Sequence, residues 1–139
     1  MPFDISTATA FERLNEGAFM HLTDSNGQPL FDDAKQPVGI TMLGANSRAG
    51  LAASRELGNR RLRDQRRGGA TPMTVELNEG TTNDILTACT VSWSFTELDG
   101  AAFPCTPTNA LKFWGDDRFR RWRDQADAWI SSEANFFKA

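Results

Sequence analysis

Arginine is the residue type whose number and spacing in this sequence most clearly suggest binding chemistry. Seven arginines lie between positions 48 and 67, where only Glu56 and Asp64 oppose them, so the segment carries a balance of +5 in a chain whose net charge is −3. A guanidinium group makes bidentate contacts with carboxylates and phosphates. The segment therefore predicts a surface for an acidic protein partner or for phosphate groups. The alternative is a solvated helix face that pairs with three acidic residues nearer the N-terminus, Asp24, Asp32 and Asp33.

A second group of four arginines lies between positions 118 and 123. The charge of this group is balanced nearby by four aspartates, Asp116, Asp117, Asp124 and Asp127. Alternating charges at such short spacings are typical of a solvated helix face. We therefore expect this second group to form a solvated face and not a binding site.

Catalytic chemistry finds no support in the residues. His21 is the single histidine, and no GxSxG segment places a nucleophile on a sharp turn. The glycines at 68–69 and Gly80 do not form a phosphate-binding GxxxxGK[ST] loop. Adjacent aspartates at 32–33 would point apart in a strand, and those at 116–117 suit the first turn of a helix. The sequence therefore predicts a non-enzymatic protein with no catalytic residues and no cofactor, and it predicts an edge or core position for the histidine.

The two cysteines, Cys89 and Cys105, are too far apart for a CxxC motif, and one histidine cannot complete a zinc site with them. We expect no metal site and two reduced, buried thiols. The sequence has no run of about 18 apolar residues and no signal-peptide pattern. These features predict a cytoplasmic protein with no membrane partner.

The length of 139 residues predicts one domain over residues 1–139. The pI of about 5.1 gives no general attraction to polyanions, so nucleic acid is not the expected partner. The elements predict an α+β fold that is predominantly helical, with a small antiparallel sheet of two or three strands followed by about four helices. The sheet occupies residues 18–44 and the helical body residues 46–137.

Within the predicted sheet, residues 19–22 alternate, a tight turn covers 25–29, and Leu30-Phe31 forms the second strand. A third extended run covers 38–43. A sheet of two or three short strands is only marginally stable by itself. We therefore expect a helix or another subunit to cover one of its faces. No internal repeat is recognised in the sequence.

The first two predicted helices follow the sheet. One begins at Asn46 or Ser47 and ends before the glycines at 68–69. It has only a few apolar residues: Leu51, Ala52, Leu57 and Leu62. Glycines within it, Gly50 and Gly58, put its straightness in doubt. The second begins at Thr71-Pro72 and continues through Cys89 to Trp93, with an interruption expected at Gly80.

Two further helices complete the predicted body. Thr106-Pro107 opens a short helix that Gly115 closes. The last helix begins at Asp116-Asp117 and places aromatic residues on one stripe that we expect to face the core: Phe119, Trp122 and Trp129. Before them, the dipeptide Asp99-Gly100 predicts a short hairpin or an ordered loop.

The two ends of the sequence differ in apolar content. Residues 1–15 carry only scattered apolar side chains, so we expect a partly mobile N-terminus. Phe136-Phe137 is either a clamp onto the fold or an exposed docking tag. Because large apolar residues concentrate after residue 110, we expect the C-terminal half to organise the fold and residues 1–67 to be under-packed.

Several short motifs also follow a recognisable order. The first half has the turn NGQPL at 26–30, the strand end ITMLG at 40–44 and NSR at 46–48, which opens an arginine-rich helix with NRR at 59–61. The second half has six further motifs: CTVSW at 89–93, LDG at 98–100, FP at 103–104, NAL at 109–111, WI at 129–130 and ANF at 134–136. Over residues 18–137, this order resembles the tail assembly chaperones of long-tailed, siphovirus-type bacteriophages.

The resemblance implies a small non-enzymatic protein made during virion assembly. Such chaperones bind the tape measure protein, keep it soluble and recruit tail tube subunits in the host bacterial cytoplasm, and they leave before the virion is finished. Self-association stays open. Taken together with the charge pattern, the resemblance leads us to expect partner binding at Arg55, Arg60, Arg61, Arg63, Arg66, Arg67, Phe136 and Phe137.

Two other functions stay open from the sequence. The first is a nucleic-acid-binding regulator that uses the arginine-rich helix 48–67, for which affinity would fall steeply with salt. The second is a structural tail or head-to-tail component that stays in the virion.

Overall fold

Helices dominate the computed structural model, which describes residues 2–66 and 75–137 and confirms a predominantly helical α+β fold. The helices are α1 (Phe11–Glu16), α2 (Arg48–Arg66), α3 (Val75–Cys89), α4 (Pro107–Gly115) and α5 (Arg120–Ile130). The strands are β1 (Ala18–His21), β2 (Gly39–Met42), β3 (Thr90–Trp93), β4 (Glu97–Leu98) and β5 (Ala101–Ala102). Short 3-10 helices span Ile5–Ala8, Asp117–Phe119 and Glu133–Phe136.

The larger sheet is antiparallel, with the strand order β1-β2-β3. β1 and β2 are paired from Ala18 opposite Met42, and the third strand arrives only after α2 and α3. The prediction that Leu30-Phe31 forms the second strand is wrong. Phe31 makes only an isolated bridge to Pro37, within the connection from β1 to β2. The predicted hairpin at Asp99-Gly100 is confirmed by β4 and β5.

The connection from β1 to β2 is an eight-residue repeat that the sequence reading missed, LTDSNGQP at 22–29 and LFDDAKQP at 30–37. In each copy an aspartate, Asp24 or Asp32, accepts two backbone N–H groups of its own turn at 2.8–3.0 Å. The repeat is hard to see because the copies share only Leu, Asp, Gln and Pro, and Lys35 adopts the positive φ that Gly27 adopts in the first copy.

Three backbone hydrogen bonds close this connection into a ring. Leu30 N–H donates to Leu22 O at 2.9 Å, and Val38 N–H donates to Leu30 O at 3.0 Å. Leu22 N–H then donates to Val38 O at 3.0 Å. The ring brings residues 22 and 38 together, and it thereby sets the register in which β1 and β2 pair.

The main core lies between one face of this sheet and the helices α3, α4 and α5. Met20, Ile40 and Met42 from the strands are fully buried there with Leu86 and Trp114 from the helices. The expectation that residues 1–67 are under-packed is therefore wrong for the strands. Met20 of β1 and Ile40 and Met42 of β2 point to the core face and are completely buried, whereas a count of apolar residues along the chain does not distinguish buried positions from exposed ones.

An aromatic cluster fills the helical side of the core. Its centre is Phe113, whose ring centroid lies 4.7–6.4 Å from those of five other rings: Trp93, Phe95, Trp114, Phe119 and Trp122. Phe119, Trp122 and Trp129 pack against the core, as the sequence predicts.

The second predicted helix ends earlier than expected. α3 stops at Cys89, and Trp93 lies in β3, where its indole N–H donates to Phe103 O at 3.0 Å. The β-branched Thr90 and Val91 favour extended backbone at this point. Gly80 does not interrupt α3. The predicted helix boundaries at Gly68-Gly69 and Thr71-Pro72 lie outside the described residues.

The last two helices begin at capped positions. Thr106 Oγ1 accepts the N–H of Asn109 at 3.1 Å, so α4 begins as predicted. Asp116 caps a 3-10 turn and not the last helix itself, because its side chain accepts the N–H of Arg118. α5 therefore begins at Arg120, four residues later than the sequence indicates.

The first helix, α1, was not predicted. Its Leu14 is buried in a small second core with Ala10 and Phe136, against which Trp129 packs. Ala10 and Leu14 are therefore the buried apolar residues of positions 2–15.

Candidate partner-binding surface on helix α2

The N-terminal end of α2 is fixed to the body of the protein. Ser47 Oγ accepts the N–H of Gly50 at 3.2 Å, which is the predicted cap. Arg48 N–H donates to Asn15 Oδ1 at 2.7 Å. A Cβ on Gly50 would collide with the carbonyl oxygen of Ala45. This glycine, which the sequence reading found out of place in a helix, is therefore required by close packing.

α2 and α3 pack against each other in antiparallel directions. Just before α2, Leu43 N–H donates to the carbonyl oxygen of Cys89 at the end of α3, at 2.7 Å. Further along both helices, Arg61 Nη2 donates to Thr81 Oγ1 at 3.2 Å. Half-buried Leu57 lies on the same side of α2 as Arg61. The opposite side of α2 is left to solvent.

That opposite side carries a continuous row of exposed residues, which we call the arginine stripe: Arg55, Asn59, Leu62, Arg63 and Arg66. Successive members are one, three or four positions apart, so they share one helix face at about 100° per residue. Four of them, together with Glu56, line an open groove of about 410 Å³. Leu62 is 54% exposed in the middle of this basic surface.

Few carboxylates neutralise this surface. Within 48–66, six arginines face only Glu56 and Asp64, which leaves a balance of +4. Glu56 lies 3.5 Å from Arg60 Nε and 3.4 Å from Arg63 Nη2, and all three side chains are more than half exposed. Within the described ranges, Arg55 and Arg66 make no ion pair.

The alternative in which acidic residues of the N-terminal segment pair with this helix gains no support. Asp24 and Asp32 use a carboxylate oxygen to close the two turns of the repeat. Among the ion pairs of residues 2–66 and 75–137, none joins α2 to Asp24, Asp32 or Asp33. The basic face is therefore available to a partner.

The structure divides the predicted binding arginines into two groups. Arg55, Arg63 and Arg66 lie on the stripe, and Arg60 lies beside it, held by Glu56. Arg61 instead turns toward α3. Arg67 lies outside the described residues. Sequence reasoning missed Asn59 and the exposure of Leu62, although the spacing of three and four residues carried the signal for both.

The two predicted binding residues at the end of the chain, Phe136 and Phe137, differ in exposure. Phe136 is only 4% exposed, and its ring lies 5.0 Å from that of Trp129. This ring therefore clamps the C-terminal segment onto the fold, and little of it is accessible for contact. Phe137 is 53% exposed and stays available for contact.

The second group of arginines is mostly exposed, as predicted, but the prediction of a solvated face is wrong for Arg123. Arg123 is 3% exposed, and its Nη2 lies 3.8 Å from Glu79 Oε1 on α3. Arg118 binds Asp99 at 2.8 Å and Asp116 at 2.7 Å, which links the small hairpin to the start of the last helix. Glu79 and Asp99 lie far away in sequence, so the local charge balance could not reveal these two partners, whereas Asp116 is one of the aspartates that it included.

Arg118 also controls the acidity of its two partners. Its guanidinium hydrogen bonds hold the pKa of the Asp99 and Asp116 carboxyls below the usual 3.8. The same bonds raise the pKa of Arg118. All three side chains carry full charge in neutral solution, so the pairs are complete there.

His21 lies on β1 at an edge of the sheet, as predicted. Its Nε2 is 2.6 Å from the carbonyl oxygen of Leu30, and its ring is flanked by those of Phe19 and Phe31 at 6.0 and 5.0 Å. The histidine therefore holds the repeat against the strand.

The thiols and acidic groups form no further site in the described part of the chain. Cys89 and Cys105 are both free, as predicted, although Cys105 is only half-buried. Burial raises the pKa of the Cys89 thiol to about 11. Within residues 2–66 and 75–137, no group of three or more histidine, cysteine, aspartate or glutamate side chains could hold a metal ion. No helix there is both long and apolar enough to cross a membrane.

Comparison of the chain with protein-family models, with curated proteins and with solved structures finds no match.

Proposed function

We propose that this protein is a non-enzymatic tail assembly chaperone of a long-tailed bacteriophage, which binds the tape measure protein and recruits tail tube subunits. The observation that carries the proposal is the arginine stripe, an exposed basic helix face on a chain that is acidic overall. The order of motifs along residues 18–137 supplies the identity of the partners by resemblance. In this proposal the chaperone works in the host cytoplasm and is absent from the finished virion.

The arrangement of α2 supports a holding role. The N-terminal end of the helix is fixed by Ser47 and Asn15. The arginine stripe is exposed along the helix, so a long partner can lie against it. Contacts between charged, exposed surfaces form quickly and reverse readily. A chaperone that leaves its partner before assembly ends requires such contacts.

Co-expression with the tape measure protein of the same genome tests the proposal. We expect the tape measure protein to be insoluble alone, and to become soluble and co-purify when this chain is present. Loss of both effects would count against the chaperone. Purified virions should lack this chain, and its stoichiometric presence there would favour a retained tail component instead.

A further inference from the structure

We infer that the arginine stripe accepts an acidic amphipathic helix, whose carboxylates pair with Arg55, Arg63 and Arg66 and whose apolar side chain covers Leu62. This inference deepens the proposed function and rests on it, because it specifies which chemistry in the protein partner is recognised. The inference also distinguishes a protein partner from a nucleic acid. Arginines alone would suit either partner equally well.

The charges on the stripe define the partner's charge. Arg55 and Arg66 make no ion pair within the described residues, and Arg63 shares the single carboxylate Glu56 with Arg60. Arg55 and Arg66 are eleven positions apart, which is about 16 Å along the helix axis. A facing helix that carries a carboxylate every third or fourth residue can meet all three stripe arginines over that distance.

Leu62 separates a protein partner from a phosphate backbone. It is 54% exposed and lies between Asn59 and Arg66 on the same face. A phosphate backbone offers this leucine no apolar surface, whereas an amphipathic helix offers a row of apolar side chains. Charge and apolar exposure together therefore favour an acidic helix.

Binding of a synthetic peptide tests the inference directly. The probe is a helical peptide of about 20 residues, which is long enough to hold a helix in water, with glutamates on one stripe and leucines beside them. Two matched peptides replace every glutamate with glutamine or every leucine with serine. A short duplex DNA, measured at about 0.15 M salt where surface charges are screened beyond about 8 Å, is the competing ligand.

Variants of the full chain locate the contact. Arg55→Glu/Arg66→Glu reverses two stripe charges, and Lys35→Glu/Lys112→Glu makes the same net change at exposed positions elsewhere. Leu62→Ser removes the apolar centre of the stripe. Because all five positions are exposed, each variant is expected to keep the far-UV circular dichroism spectrum of the wild type.

We expect the acidic peptide to bind the wild type and the lysine variant equally. The arginine variant should raise the Kd for the acidic peptide by about tenfold or more, as expected for the loss of close interfacial charge pairs. Leu62→Ser and the serine peptide should each weaken binding measurably. Peptide binding that is unchanged by the arginine variant, or DNA binding in the absence of peptide binding, would overturn the inference.

Co-purification of the tape measure protein distinguishes this inference from the proposed function. If the tape measure protein co-purifies equally with the wild type and with the arginine variant, the chaperone proposal stands and the stripe is the wrong surface. If the peptide binds as expected and the tape measure protein never co-purifies, the stripe binds acidic helices and the proposed partner is wrong.

Discussion

Nη1 of Arg123 donates to the backbone carbonyl oxygen of Trp114 at 3.2 Å, within the core between α4 and α5. The guanidinium is almost fully buried, and its second contact is Glu79 on α3. One side chain therefore joins three helices, and the indole of Trp114 in turn donates to Thr90 Oγ1 at 3.0 Å. Helices α3, α4 and α5 and strand β3 are therefore linked by polar contacts as well as by apolar packing.

We predict that Arg123→Ala strongly destabilises the fold. The substitution leaves the Trp114 carbonyl oxygen without this donor and removes a buried side chain, so we expect a loss of about 2–4 kcal/mol in the free energy of unfolding. Urea denaturation measures this value. Arg120→Ala is the matched control, since Arg120 contacts the same Glu79 from an exposed position. Its expected cost is about 0–1 kcal/mol, and equal effects of the two variants would contradict the structural role.

A pair of glycines in α2 should respond to substitution in opposite directions. Gly58 has no atoms within 4 Å of an added Cβ, so Gly58→Ala is expected to stabilise the protein by about 0.5–1 kcal/mol through helix propensity. Gly50→Ala forces a methyl group against Ala45 and is expected to cost more than about 1 kcal/mol. Thermal unfolding of both variants measures the contrast. A gain in both, or a loss in both, would be inconsistent with the described packing.

The two cysteines should differ in reactivity. Cys89 is fully buried with its pKa raised to about 11, so it should stay unmodified by an alkylating reagent in the native protein. Cys105 is half-buried, and although partial burial raises its pKa, it should react slowly. Mass spectrometry after timed labelling gives both rates. In urea the two cysteines should react at similar rates. Faster labelling of Cys89 than of Cys105 in the native protein would refute the burial described above.

Acid should weaken the contact between the small hairpin and the last helix. Arg118 lowers the pKa of Asp99 and Asp116 in the folded state, so both carboxylates stabilise the fold above their unfolded pKa near 3.8. This contribution is lost as the pH falls through the lower folded-state pKa values. Stability measured at decreasing pH should therefore fall less steeply in Arg118→Gln than in the wild type. Arg121→Gln, which removes a donor to the carbonyl oxygen of Thr23, should keep the wild-type slope.

The sequence predicted elements whose signals are local. Thr106 caps a helix and Asp99-Gly100 closes a hairpin, because the side chains or turn conformations involved act within a few residues. The paired strand β3 could not be predicted in the same way. Thr90–Trp93 continues a helical spacing of apolar residues, and only pairing with β2, some fifty residues earlier, makes it a strand.

The candidate surface was predictable in composition and not in geometry. Arginine content indicated α2 as the candidate helix, but the contact of Arg61 with α3 depends on where Thr81 lies. Phe136 could not be distinguished from Phe137 in the sequence, because its burial requires Leu14 of a helix that the sequence did not reveal. Local charge balance likewise misplaced Arg123, since its partners come from two other helices.

Co-purification of stripe variants with the tape measure protein tests the central claim most directly. With equal expression of each variant, we expect the tape measure protein to be recovered with the wild type and with Lys35→Glu/Lys112→Glu, and to be lost or strongly reduced with Arg55→Glu/Arg66→Glu. Undiminished recovery with the arginine variant, whose fold is verified by its unfolding transition, would contradict the claim that the stripe on α2 is the surface that holds the partner.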